Sequence, residues 1–176
     1  MGLISKLVVL TSLLYSNSFS SLYAQNVLFI PFGQSEKEVR AFVDDNVILS
    51  ELSIDQKEKR IKITDSLRNM SYDFHEKGLY KITDTRTYNS QEQARSVVKA
   101  CLDYLKLFDQ DIAKPKKSED IEHYLIMGEN KIIEVRATGF SKNKHSTDPV
   151  TIQLISTAMD LAPREEVGML TALFSH

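Results

Sequence analysis

Ser90-Gln91-Glu92-Gln93-Ala94-Arg95-Ser96-Val97-Val98-Lys99-Ala100-Cys101-Leu102-Asp103-Tyr104-Leu105 opens with a serine followed three residues later by a glutamine. That pair is a capping box, in which the hydroxyl and the amide side chain satisfy backbone donors that a helix start leaves open. Behind it, Ala94, Val97, Val98, Cys101, Leu105 and Phe108 recur at helical spacing and form a sustained apolar stripe. A helix of about five turns with one greasy face needs a surface to lie on. The rest of the chain predicts that surface as a sheet.

Upstream, Ser35-Glu36-Lys37-Glu38 repeats the box, and Val39, Phe42 and Val43 continue it as a shorter helix to about Asp45. Between and after the two helices the period changes to two. Ile61 and Ile63 alternate with Lys62 and Thr64, and Met70, Tyr72 and Phe74 alternate with Ser71, Asp73 and His75. Glu76-Lys77-Gly78 reads as a hairpin turn into Leu79–Tyr88. Gly128-Glu129-Asn130 reads as a second turn, joining Ile121–Met127 to Lys131–Phe140. Val150, Ile152 and Leu154 make a further strand, Val47–Ile54 leans towards strand, and Pro163 opens a small terminal helix carrying Val167, Leu170, Leu173 and Phe174. Lys114-Pro115-Lys116-Lys117 reads as a solvated break after the long helix. The fold class is therefore α+β: an antiparallel sheet covered on one face by helices.

The halves echo one another. Ser35, Glu38, Val39, Arg40 and Val43 match Ser90, Gln93, Ala94, Arg95 and Val98 at an offset of 55, as do the triplets Lys81-Ile82-Thr83 and Arg136-Ala137-Thr138. Two α-β-β-β units, 33–88 and 89–160, are one way to read this. Gly33-Gln34-Ser35-Glu36-Lys37-Glu38-Val39 resembles the glycine–polar–capped-helix start of the small outer-membrane-assembly lipoproteins. Secreted β-lactamase inhibitor proteins use two tandem copies of a similar helix-then-antiparallel-strands unit. The resemblance implies an exported, protein-binding module. The chain departs from it at the helix exit, Phe42-Val43-Asp44-Asp45-Asn46, where that family often has Leu-Gly-x-Pro, and in having no lipidated cysteine.

Before this lies a leader. Met1–Lys6 carries one positive charge, Leu7–Leu14 is an apolar core of signal-peptide length, and Leu22-Tyr23-Ala24 offers a cut before Gln25, with Ser18-Phe19-Ser20 as a second candidate. Residues 1–24 thus read as a signal peptide and 25–176 as a single α+β domain, secreted or periplasmic. The polar stretch from Ser16 interrupts the run of about 20 apolar residues that a spanning anchor needs, so no stable membrane insertion is expected after cleavage.

With 22 basic and 24 acidic residues and a net charge of −2, the chain lacks the basic excess of a nucleic-acid binder. One cysteine excludes an intrachain disulfide framework and every multi-cysteine metal site. Cys101 lies within the apolar stripe and reads as a buried structural thiol. His75, His123, His145 and His176 are scattered, with no His-Glu-x-x-His. Asp73 and His75 share a strand face and could supply two metal ligands, but a solvated pair is the simpler reading, and no cofactor is expected. No Gly-x-Ser-x-Gly elbow or phosphate loop is present. Binding residues are expected on the polar sheet face and in the basic loops: Asp73, His75, Arg136, Lys142 and Lys144. Tyr72, Tyr80, Tyr88, Tyr104 and Tyr124 suit recognition or a sheet edge equally. The reading is a non-enzymatic binder of a protein, peptide or envelope component. An extracytoplasmic hydrolase and a small-ligand carrier stand as alternatives.

Overall fold

The computed structural model describes residues 30–46, 51–55, 57, 59–64, 69–106, 112–117, 121–128, 130–141 and 146–172. The leader and the signal-peptide reading lie outside them. Helix α1 (Glu36–Asn46) starts at the expected cap: the Glu38 carboxylate accepts from the Ser35 amide at 2.8 Å and from its hydroxyl at 2.7 Å. Four strands follow: β1 (Glu51–Asp55), β2 (Arg60–Thr64), β3 (Asn69–His75) and β4 (Gly78–Tyr88). Helix α2 (Gln91–Lys106) begins where the Gln93 amide donates to the Ser90 hydroxyl at 3.2 Å. The second half then gives β5 (Ile112–Lys117), β6 (Ile121–Met127), β7 (Lys131–Thr138) and β8 (Val150–Ala158), and ends with α3 (Arg164–Ala172).

Among the described residues all eight strands join one antiparallel sheet in the order β1-β2-β3-β4-β8-β7-β6-β5. Each half is a helix followed by four strands rather than the three expected, and the order reads the same from either edge. The join is β4 against β8, in continuous register from Lys81↔Thr157 to Tyr88↔Val150. By place in the sheet β4 answers to β8, so the triplets at 81–83 and 136–138, on β4 and β7, occupy non-equivalent strands. The 55-residue offset holds for the helix starts and not for the sheet.

The added strand is β5. Its Lys114-Pro115-Lys116-Lys117 had read as a break, because proline ends helices and central strands alike. On an edge strand that objection disappears: the missing N–H can face outwards. The pairing with β6 shifts register between Ala113 and Lys116, a bulge at the proline.

The side-chain alternation expected along the strands is present. Ile61, Tyr72, Phe74, Ile133, Val135, Ile152 and Leu154 are all buried, and α1 and α2 cover their side of the sheet. Ile63 pairs with Met70 in the same row. Two separate clusters result. Under α1, Val39 and Val43 pack with Ile61, Met70, Tyr72, Leu79 and Ile82. Under α2, Ala94, Val98 and Cys101 pack with Ile126, Val135, Ile152 and Leu154. Burying such side chains is worth roughly 1.5–3 kcal/mol each for the large aliphatics, which is what holds short helices in place.

Between the clusters runs a polar seam. Asp84 and Arg86 sit on the helix side of β4 because Ile82, Asp84 and Arg86 alternate in one register, and their charged groups lie 3.3 Å apart. Asp84 is buried. A charge placed there needs an opposite partner, and the pair supplies it.

Candidate functional site

Because both long helices lie on one side, the other face of the sheet is left open over most of its area. Its centre is made by β4 and β8. Thr83, Thr85 and Thr87 face Ile155, Gln153 and Thr151 across the join. The Thr87 and Thr151 hydroxyls are 3.4 Å apart, and the Gln153 amide donates to the Thr85 hydroxyl at 3.4 Å. Short β-branched side chains suit a strand and leave a low, even, hydrogen-bonding strip.

An ionic cluster flanks the strip on each side. On β2–β4 the Arg60 guanidinium binds the Asp73 carboxylate, and Lys81 Nζ lies 3.5 Å from the same group. On β6–β7, His123 Nε2 is 2.9 Å from Glu134 Oε2, and Arg136 donates to that oxygen at 3.4 Å. Both carboxylates are buried, Asp73 at 3% exposure and Glu134 at 5%. Each is therefore sandwiched between two basic groups, while the Arg136 side chain stays 41% exposed. The acids lie underneath, and the two arginines are the more exposed of the four bases.

Asp73, His75 and Arg136 do share this face, as expected from alternation, but they do not meet. The first two lie on β3 and the third on β7, with β4 and β8 between. Asp73 is not solvent-presented: its two cations hold it in the sheet surface. His75 stands edge-on to Tyr80, with ring centroids 6.4 Å apart. Lys142 and Lys144 lie outside the described residues. Glu122 and His123, neighbours in the chain, point to opposite faces. Glu122 accepts from the Tyr124 hydroxyl at 3.0 Å and from Arg95 at 3.4 Å, while His123 meets Glu134. His123 therefore has one carboxylate and one guanidinium beside it, the latter held by the same glutamate. Among the described residues no group of three His, Cys, Asp or Glu side chains could hold a metal ion.

Three of the tyrosines prove structural rather than presented, and the Tyr104 side chain lies outside the described residues. Tyr72 is wholly buried, and Tyr80 and Tyr124 are nearly so. Burial pushes the Tyr124 phenol up to about 12, helped by its hydrogen bond to Glu122; burial also raises Tyr80, which bonds Glu166, and Tyr88. All three stay neutral: Tyr80 and Tyr124 donate to carboxylates, while the Tyr88 oxygen accepts from Arg86. Cys101 is buried at 2% exposure, and burial pushes its thiol up to about 12, opposed weakly by Arg86. A thiol so placed is a small hydrophobe, not a nucleophile.

One part of the face is not open, and sequence reading missed it. Helix α3 lies across the end where β4 and β7 begin. Leu170 packs there on Leu125 and Ile132, with Met127 and Met159 alongside. The signal was present in the unbroken apolar runs Tyr124-Leu125-Ile126-Met127 and Ile132-Ile133, which imply burial on both faces. No protein-family model, no curated protein and no solved structure matches this chain.

Proposed function

We propose that this chain is an exported, non-enzymatic module that recognises a protein, peptide or envelope component through the open face of its sheet. The observation that carries the reading is the threonine–glutamine strip set between two ionic clusters, on a face that both long helices leave uncovered. Low relief and many short polar groups suit an extended surface contact better than the enclosure of a small molecule, for which ligand sites are concave. Arg136 and Lys62 supply exposed charge at the margins, the polar rim of such an interface. Export rests on the leader at residues 1–24 and its cut after Ala24. Among the described residues no helix is long and apolar enough to cross a membrane.

Site-specific photo-crosslinking tests the binding face. A photoreactive residue replacing Thr85 or Thr151 in the native host should capture a discrete partner. The same residue at Lys99, on the exposed side of α2, should capture none. Equal capture from both faces, or none from the sheet, would end this reading. Intact mass of the exported protein tests the other half: the chain should begin at Gln25.

A further inference from the structure

Helix α3 is attached to the sheet in a way that differs from α1 and α2. Among the described residues Leu170 is its one buried side chain, and Met169 on its outer side is 66% exposed. A second tie is polar. Lys81 Nζ is 2.7 Å from Glu166 Oε1, and the Tyr80 phenol bonds the same carboxylate. Both charged side chains are about one-fifth exposed, at 18% and 21%, where an ion pair contributes little.

Three features make release of this helix inexpensive. Lys81 is also 3.5 Å from Asp73, so it keeps a carboxylate partner when Glu166 leaves, and Asp73 keeps Arg60. No charge is orphaned. The Thr157 hydroxyl, fully buried on the α3 face between Lys81 and Ile132, has no hydrogen-bond partner among the described residues and would gain water. Finally, Gly168 occupies the middle of the helix although a Cβ there would meet nothing within 4 Å. Glycine costs a helix interior about 1 kcal/mol relative to alanine, and here packing does not demand it. The segment leading in, Asp160–Pro163, forms a turn tied back to the Ala158 carbonyl and gives a defined pivot.

We propose that α3 is a displaceable cover, which closes over Leu125 and Ile132 and lifts as a unit without unfolding the sheet. Lifting exposes Leu125 and Ile132 at the end of the polar strip. The lifting does not depend on the binding reading above, and it can be measured with no partner present.

Hydrogen exchange of the mature full-length protein, followed by mass spectrometry across a range of low urea, provides the test. Amides of Arg164–Ala172 should exchange at least about a hundredfold faster than those of β8, with little dependence on urea, the signature of a local opening. Glu166→Gln should speed α3 exchange about threefold and leave β8 unchanged, the scale of one partly exposed ion pair, since Asp73 keeps both its cations. Gly168→Ala should slow it about fivefold, again without effect on β8. If α3 exchanges only together with β8 and with the same urea dependence, or if both variants move the two elements in step, α3 is a fixed part of the fold and the proposal fails. The crosslinking result at Thr85 and Thr151 is unaffected by either outcome, so the two ideas fall separately.

Discussion

The two halves pin their helices to the sheet by different chemistry. In the first, the chain ahead of α1 bonds directly to the start of β4: the Gly33 amide donates to the Leu79 carbonyl, and the Leu79 amide to the Gln34 carbonyl, both at 2.8 Å. In the second, one side chain does this work. Gln91, buried at the start of α2, donates from Nε2 to the Gly139 and Asp148 carbonyls at 3.0 Å each, and its Oε1 accepts from the Ser141 amide at 3.2 Å. A joint of backbone tolerates any side chain that fits but no added bulk. A joint of side chain tolerates nothing but that side chain.

Substitution at each joint should expose this contrast, and the largest effect belongs to the first. Gly78 has φ +101, and a Cβ on it would come within 2.7 Å of the Gln34 carbonyl oxygen. Gly78→Ala should cost about 3 kcal/mol or more in chemical denaturation, since strained backbone adds to a clash that no rotamer relieves. Next comes Gln91→Ala, which should cost about 2 kcal/mol by stranding carbonyls in a buried loop. Gln91→Glu should be worse than alanine, because a carboxylate cannot donate to either carbonyl. If glutamate proves milder than alanine, Gln91 is filling space and the contrast between the joints fails.

A smaller effect separates the two packing interfaces. Cys101→Ala should cost about 1 kcal/mol, the scale of a small buried deletion. Its thiol should be labelled in the folded protein far more slowly than in denaturant, since so little thiolate exists at neutral pH when burial holds the group at about 12. Equal labelling rates would show that α2 does not stay seated.

The smallest effect distinguishes the caps. Ser35 is answered by Glu38 and Ser90 by Gln93, so only the first cap titrates. The hydrogen bonds from Ser35 hold the Glu38 carboxyl below its ordinary value. With the folded value depressed, its contribution is complete above the unfolded value and drains away as pH falls through the folded one. Acidification should therefore fray α1 and spare the start of α2, visible as faster amide exchange at Glu38 than at Gln93 after correction for intrinsic rates. Glu38→Gln should abolish the difference.

Much of this architecture was legible because caps and periodicity are local signals. Ser35 and Ser90 announce both helices, and Gly78 and Gly128 announce both hairpins. What stayed hidden depends on contacts far apart in the chain. Asp84 and Arg86 lie beneath the helices, although charge in an alternating strand ordinarily marks the wet side; their mutual pairing helps to permit it. Asp73 was readable as outward-facing but not as buried, since Arg60 and Lys81 come from other strands. Strand β5 was concealed by Pro115, a residue whose meaning depends on whether a strand is central or marginal. The join of β4 to β8, which makes one sheet from two halves, leaves no mark in either strand alone.

That marginal proline has a consequence for the life of the molecule at high concentration. An antiparallel sheet with two free borders can, in principle, lay the last strand of one copy beside the first strand of the next, a head-to-tail contact that never closes and so grows into a ribbon. Here growth is interrupted at the β5 border, where Pro115 offers no amide hydrogen and the bulge beside it breaks the hydrogen-bonding repeat. Lysines at 114, 116 and 117 reinforce the interruption along that border. A sheet eight strands wide is thereby hindered from templating its own polymer at that border.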